Sequence, residues 1–167
     1  MASAADQIRA DIAALLPRLR RFARALTGEA ADADDLVQIA LERALVRAEQ
    51  FQPGTRLDSW LYAIVRNAWI DEARARMRRA KVFAPAELGE RVGSDGEAEM
   101  LAKLEAKDVW AAMVALPEEQ REAVALVCVE GLAYREAAAA LGVPIGTLTS
   151  RLARGRAALQ RALGDVR

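Results

Sequence analysis

Apolar side chains recur along this chain at the three- and four-residue spacing of amphipathic helices, in two blocks separated by a stretch where the pattern fails. Ile8, Ile12, Leu15, Leu16, Leu19, Phe22, Ala23 and Leu26 predict a first helix over about 8–26, closed by Gly28. Pro17 lies inside that pattern, and a proline at such depth kinks a helix or starts a new one, so the well-formed part is expected to begin near Pro17. A second helix is expected from an N-cap at Asp32, with further carboxylates in its first turn, to about Glu49. Phe51-Gln52-Pro53-Gly54 reads as a turn, and in the segment 55–79 that follows, Trp60, Leu61, Ile64 and Val65 are core candidates. Periodicity then lapses through Pro85, Gly89, Gly93, Ser94, Asp95 and Gly96, which reads as a mobile linker. It returns near Glu99 with Leu101, Leu104, Val109, Met113 and Leu116. Pro117-Glu118-Glu119 opens a further helix, with proline at its first position, that carries Val124, Leu126 and Val127. The fold expected is all-α: two small helical domains, 1–80 and 99–167, joined by a flexible linker over 81–98.

The second block ends in a helix-turn-helix pattern. Gly131-Leu132-Ala133-Tyr134 leads into the alanine-rich segment 135–140, a break follows at Leu141-Gly142-Val143-Pro144-Ile145-Gly146, and a basic helix begins near Thr147, placed at or near its N-cap. On that helix Leu148, Leu152, Leu159 and Leu163 fall on one stripe, while Thr147, Ser150, Arg151, Arg154 and Arg161 project elsewhere. From Thr147 to Leu163 there are four arginines and no acid, in a chain with 24 basic and 24 acidic residues. A helix-turn-helix presents such a helix to the major groove. A solvated face on an ordinary helical hairpin is the bland alternative.

Composition narrows the classes. The chain has 167 residues, 53% hydrophobic and only 5% aromatic, as aliphatic helical domains do. With no histidine, neither a histidine acid–base site nor a histidine metal site can form, and no glycine-rich phosphate loop is present. No enzyme activity, metal or cofactor is expected. The single cysteine, Cys128, lies in an apolar run and is expected to be a small buried core residue. No segment reaches the ~18 apolar residues that span a bilayer, and Asp6, Arg9 and Asp11 stand where a signal peptide would be apolar. A cytoplasmic protein with no membrane insertion is expected.

Segment 60–81 adds a second candidate surface. It holds two of the three tryptophans and six basic residues against two acidic ones. Aromatics interleaved with arginines suit single-stranded nucleic acid, since bases stack and phosphates pair. Asp71 could accept from a base amino group or cap an arginine. Asp35 and Gln38 share a helix face earlier in the chain. Because the net charge is zero, weak DNA binding by the chain alone is expected.

Four segments together resemble one family: Asp32-Ala33-Asp34-Asp35-Leu36-Val37-Gln38; Trp60-Leu61-Tyr62 followed by Arg66-Asn67 and Asp71; Leu116 to Arg121; and Gly131 to Glu136 with Pro144 to Leu152. In this order, over nearly the whole chain, they look like the extracytoplasmic-function (ECF) sigma factors of bacterial RNA polymerase, of the sigma-70 family. The resemblance implies that 1–80 is sigma domain 2 and 99–167 is sigma domain 4, and that the chain directs core polymerase to promoters and initiates transcription. It implies that Asp34, Asp35 and Gln38 dock on the β′ clamp helices. Trp60, Arg66, Asn67, Asp71, Arg74 and Arg76 would hold the melted minus-ten strand and a flipped base. Thr147, Thr149, Ser150, Arg151, Ala153, Arg154 and Arg156 would bind minus-thirty-five DNA, with Ser150, Ala153 and Arg154 facing bases. Control by an anti-sigma factor is also implied. The chain departs from the family pattern at Ile39 and Leu45, where an acid and a tryptophan are usual, and at Thr149, usually basic, so the upstream sequence preference does not carry over. The alternative from another class is a dimeric helix-turn-helix regulator acting without polymerase.

Overall fold

The computed structural model of the chain describes residues 1–80 and 97–164. In order along the chain come α1 (Ala4–Thr27), α2 (Ala30–Val46), a 3-10 turn (Ala48–Gln50) and α3 (Leu57–Ala80). After them come α4 (Glu97–Ala115), α5 (Glu118–Val124) continuing into a π turn (Ala125–Val129), α6 (Tyr134–Leu141) and α7 (Ile145–Gly164). The described residues contain no strand, in keeping with the all-α expectation. Most of the expected linker, 81–96, lies outside the described residues, while Glu97 and Ala98 already belong to α4.

Several helix boundaries differ from the sequence pattern. α1 begins thirteen positions before Pro17, because Ser3 and Asp6 form a capping box: the Asp6 N–H donates to Ser3 Oγ at 3.1 Å and the Ser3 N–H donates to Asp6 Oδ2 at 3.1 Å. Ile12 is buried below Pro17, and Ile8, Leu15 and Leu16 pack on the core, which holds the early turns in place. Gly28 closes α1 with a left-handed φ of 78°, its N–H bonded to the Arg24 carbonyl. Asp32 is not an N-cap; Glu29 holds that position, and Asp32 sits in the first turn of a helix that ends at Val46, short of Glu49. Pro117 is likewise the N-cap of α5, one place before the helix.

In the N-terminal half, α1, α2 and α3 close around Leu19, Phe22, Leu26, Leu36, Val37, Leu61, Tyr62 and Val65, all buried. The Phe22 and Tyr62 rings meet edge to face at 5.2 Å, a favoured aromatic geometry. Each large side chain so buried contributes about 1.5–3 kcal/mol of transfer free energy. Trp60, one of the four expected core residues, is only half-buried, beside Phe51 at 5.4 Å; Leu61, Ile64 and Val65 are fully buried.

In the C-terminal half, Val124, Leu126, Leu141, Leu148 and Leu152 form the core of α5, α6 and α7. Cys128 is exposed, contrary to the expectation of a buried residue. The π turn explains this. One extra residue between hydrogen-bonded partners, with the Glu130 N–H donating to the Ala125 carbonyl at 2.9 Å, rotates the end of the apolar run so that Cys128 faces out and Glu130 faces in. The buried residues of both halves join in one cluster.

Candidate nucleic-acid interface

α7 follows Gly142, which ends α6 with φ 64°, and starts at Ile145 immediately after Pro144. Thr147 is therefore in the first turn rather than at the N-cap, and it is half-buried. Leu148 and Leu152 fix the inner face. Gly155 lets α5 approach so closely that an added Cβ would lie 2.7 Å from Val124 Cγ2 and 3.3 Å from the Gln120 carbonyl oxygen. With that face locked, Thr149, Ser150, Ala153, Arg154 and Arg156 are all exposed. The Thr149 hydroxyl donates to the Ile145 carbonyl at 2.9 Å. Arg151 is half-buried, 3.5 Å from Glu119. Arg156 lies against Cys128 and Tyr134, and the Cys128 thiol is the main group holding its guanidinium pKa up.

α3 brings the second set together along one helix, but part of it faces protein. Arg66 reaches the buried Glu122 of α5, Nε to Oε1 at 3.5 Å, and the Trp69 indole N–H donates to the Glu118 carboxylate. Trp69 was not among the sequence candidates; its position one turn beyond Arg66 and Asn67 in the same tryptophan–arginine segment was the available signal. Asp71 accepts from Arg43 Nη1 at 2.8 Å, so in this structure it caps an arginine. Arg76 lies 6.0 Å above the Trp69 ring and 3.7 Å from Asp32. Asn67 and Arg74 are exposed.

On α2, Asp34, Asp35 and Gln38 are exposed while Leu36 and Val37 between them are buried, so the three polar groups form an outward edge. Arg20 of α1 lies 3.6 Å from Asp34.

Comparison with known proteins accounts for both halves. Residues 12–66 match the family described as the Sigma2 domain of PhyR, and residues 106–159 match Sigma-70, region 4. The ECF RNA polymerase sigma factor EcfG of Rhodopseudomonas palustris is 40% identical over 158 residues, which is 95% of this chain and 86% of that one. The chain belongs to the ECF RNA polymerase sigma factors. A second relative, SigM of Mycobacterium tuberculosis, is 40% identical over 148 residues, covering 88% of this sigma factor and 72% of SigM. Its fold matches the sigma factor RpoE of Bartonella quintana, solved with the anti-sigma factor NepR: TM-score 0.79, 31% identity, 96% of this chain and 99% of that one. Family membership favours the polymerase-dependent reading over a dimeric operator binder. Among the described residues no helix is long and apolar enough to cross a membrane.

The two halves of the sigma factor meet through a buried ionic cluster that the sequence reading did not pick out. The Glu130 side chain is fully enclosed. It accepts a bidentate pair from Arg21, Nε to Oε1 at 2.7 Å and Nη2 to Oε2 at 2.8 Å, and a third bond from the Tyr62 hydroxyl at 2.7 Å. Arg18 links the Glu130 carbonyl at 3.2 Å to Asp58 at 3.2 Å. Arg56 bonds Asp58 at 2.7 Å and Glu136 of α6 at 2.7 Å. Three arginines thus face three carboxylates. Burial alone would raise the Asp58 carboxyl, but the Arg56 hydrogen bond, the Ser59 N–H and the charges of Arg56 and Arg18 hold it below its ordinary value. Burial, then the Glu130 carboxylate, push the Tyr62 phenol up. Glu122 is also raised, by burial that the Arg66 charge only partly offsets.

Proposed function

We propose that this sigma factor engages promoters through two separate surfaces and engages polymerase through a third. The exposed edge of Asp34, Asp35 and Gln38 docks on the β′ clamp helices of the core enzyme. Trp60, Arg66, Asn67, Asp71, Arg74 and Arg76 of α3 hold the melted minus-ten strand by stacking and phosphate pairing. Extruding a base costs a few kcal/mol, which binding free energy supplies, so no hydrolysis and no cofactor are needed. α7 reads the minus-thirty-five element with Ser150, Ala153 and Arg154 toward bases and Thr147, Thr149, Arg151 and Arg156 toward the backbone. Domain 2 spans 1–80 and domain 4 runs from the start of α4 at Glu97 to 167, with the linker at 81–96 rather than 81–98. The likeness to a sigma factor solved with its anti-sigma factor supports restraint of this one by such a protein.

The observation that carries the reading is the division of α7: Leu148 and Leu152 inside, Thr149, Ser150, Ala153 and Arg154 outside, with no acidic residue from 145 to 164. Run-off transcription with purified core polymerase on genomic promoter fragments tests it. Transcripts that start only when the sigma factor is added are expected; a sigma factor that neither attaches to core nor starts transcripts overturns the reading.

A further inference from the structure

A small notch opens between α2 and α3, within the N-terminal half. Asp32 and Asp35 of α2 and Glu72 of α3 supply three carboxylates, and Trp69 supplies an aromatic wall. Among the described residues, Arg76 is the only cation that lines it, and it is held loosely. Its Nη2 is 3.7 Å from Asp32 Oδ1, its guanidinium carbon is 6.0 Å from the centre of the Trp69 ring, and 52% of its side chain meets solvent. Both distances lie at the outer limit for an ion pair and for a cation over a ring. About 80 Å³ of open space remains beside it, several times what one water needs.

An aromatic face beside carboxylates suits a guanidinium, which stacks on the ring and forks onto the oxygens. Among the described residues no group of carboxylates is placed to hold a metal ion, and the arginine already at the notch names the ligand class. We propose that the notch is an arginine socket: Arg76 fills it loosely in the free chain, and an arginine side chain of core polymerase takes it over when α2 docks. Continuity identifies the partner, since Asp35 belongs both to the notch and to the outward edge with Asp34 and Gln38. The proposal rests on the reading of that edge as the polymerase-docking surface. It extends that surface across to α3, through Glu72 and Trp69. Two guanidinium groups in so small a space repel each other, so the partner's arginine enters as Arg76 leaves.

Exchange carries a signature that bracing does not. Were Arg76 only a brace between α2 and α3, its loss would loosen the helix pair and weaken docking. A displaceable occupant instead competes, and the apparent affinity of a ligand falls with the fraction of sites able to receive it. Removing Arg76 therefore strengthens the hold on polymerase.

The test titrates core polymerase against the full chain carrying a dye at its N-terminus, read by fluorescence anisotropy. Arg76→Gln should tighten attachment by about threefold, the scale of an exposed ion pair. Glu72→Gln should weaken it by about tenfold, the scale of a hydrogen bond to a charged group. Arg79→Gln removes the same charge at an exposed position one turn further along α3, outside the notch, and should leave attachment unchanged. Equal tightening in Arg76→Gln and Arg79→Gln reports net charge alone and overturns the exchange, as does unchanged or weaker attachment in Arg76→Gln. Normal attachment of Glu72→Gln beside weak attachment of Gln38→Ala overturns the socket and leaves the docking edge standing. Normal attachment of both removes the docking reading itself, and the socket with it. Should Arg76→Gln lose helical circular dichroism, Glu72→Gln alone decides between these results.

Discussion

α3 and α7 are both arginine-bearing helices, yet they sit in opposite circumstances. The outer face of α7 is open: Ser150, Ala153 and Arg154 meet solvent. α3 is half engaged, with Arg66 and Trp69 turned to α5, Asp71 to Arg43 and Arg76 to Asp32. Charge alone does not make a surface available; what matters is whether the same chain already answers it. The zero net charge has a structural meaning here, since acids of one half neutralise arginines of the other.

Core truncation probes the contrast most strongly. Leu61→Ala in the α3 core or Leu148→Ala in the α7 core should each cost about 2–5 kcal/mol. Because the Glu130 ion cluster and a continuous core couple the halves, either change should lower one shared thermal transition. Two separate transitions in differential scanning calorimetry, only one of them displaced, would show that the halves are energetically independent.

A gentler disruption is confined to α7. Gly155→Ala should improve helix propensity, but its Cβ meets Val124, a side chain stiff about χ1, and the Gln120 carbonyl. A net loss of about 1–3 kcal/mol is expected from overpacking, measured by denaturant melting. Equal or greater stability would mean that the α5–α7 crossing can relax, and that the presentation of α7 is less rigid than argued.

Arg154→Ala addresses the open face directly. Loss of about 1–3 kcal/mol of discrimination at the upstream element is expected, the scale of a good base contact, with core binding unchanged. Gln38→Ala should do the reverse, weakening attachment to core and sparing upstream discrimination. Footprinting of the holoenzyme and a core-binding titration separate the two, and matching phenotypes would refute separate surfaces.

Much of this was legible in the sequence because it is local. The α7 stripe follows from helical period, and the stops at Gly28 and Gly142 follow from the left-handed φ that glycine adopts freely. Pro17 misled because a single breaker was weighed above a capping box fourteen residues upstream of it, formed by Ser3 and Asp6. Cys128 misled because a π turn shifts helical phase, and nothing in an apolar run announces the extra residue. Glu130 was invisible for a deeper reason: its partners Tyr62 and Arg21 lie 68 and 109 positions away. A lone glutamate ahead of a glycine carries no periodic signal, so only tertiary structure reveals that it is enclosed. The engagement of Arg66 and Trp69 was hidden in the same way, since an acidic first turn on α5 is already explained by the helix dipole.

The smallest effect, and the one most specific to the contact between halves, is its pH dependence. Asp58 is depressed in the folded state, so its contribution is present above its ordinary value of 3.8 and is lost as pH falls through the folded pKa. Glu122 is raised, so the folded state holds its proton longer than the unfolded state does. Stability therefore declines as pH rises from the ordinary value of 4.5 toward the folded pKa. The two slopes oppose each other: Asp58 favours the contact as pH rises past its folded pKa, and Glu122 weighs against it as pH rises from 4.5. Glu122→Gln removes the second slope while leaving an acceptor for Arg66, and should raise neutral-pH stability slightly and flatten the curve above pH 4.5. Asp58→Asn should instead erase the acid limb at the cost of weaker pairing with Arg56 and Arg18. Denaturant midpoints measured across this range distinguish the two, and an unaltered slope in Glu122→Gln would mean that Glu122 is solvated, with α5 lifted away from α3.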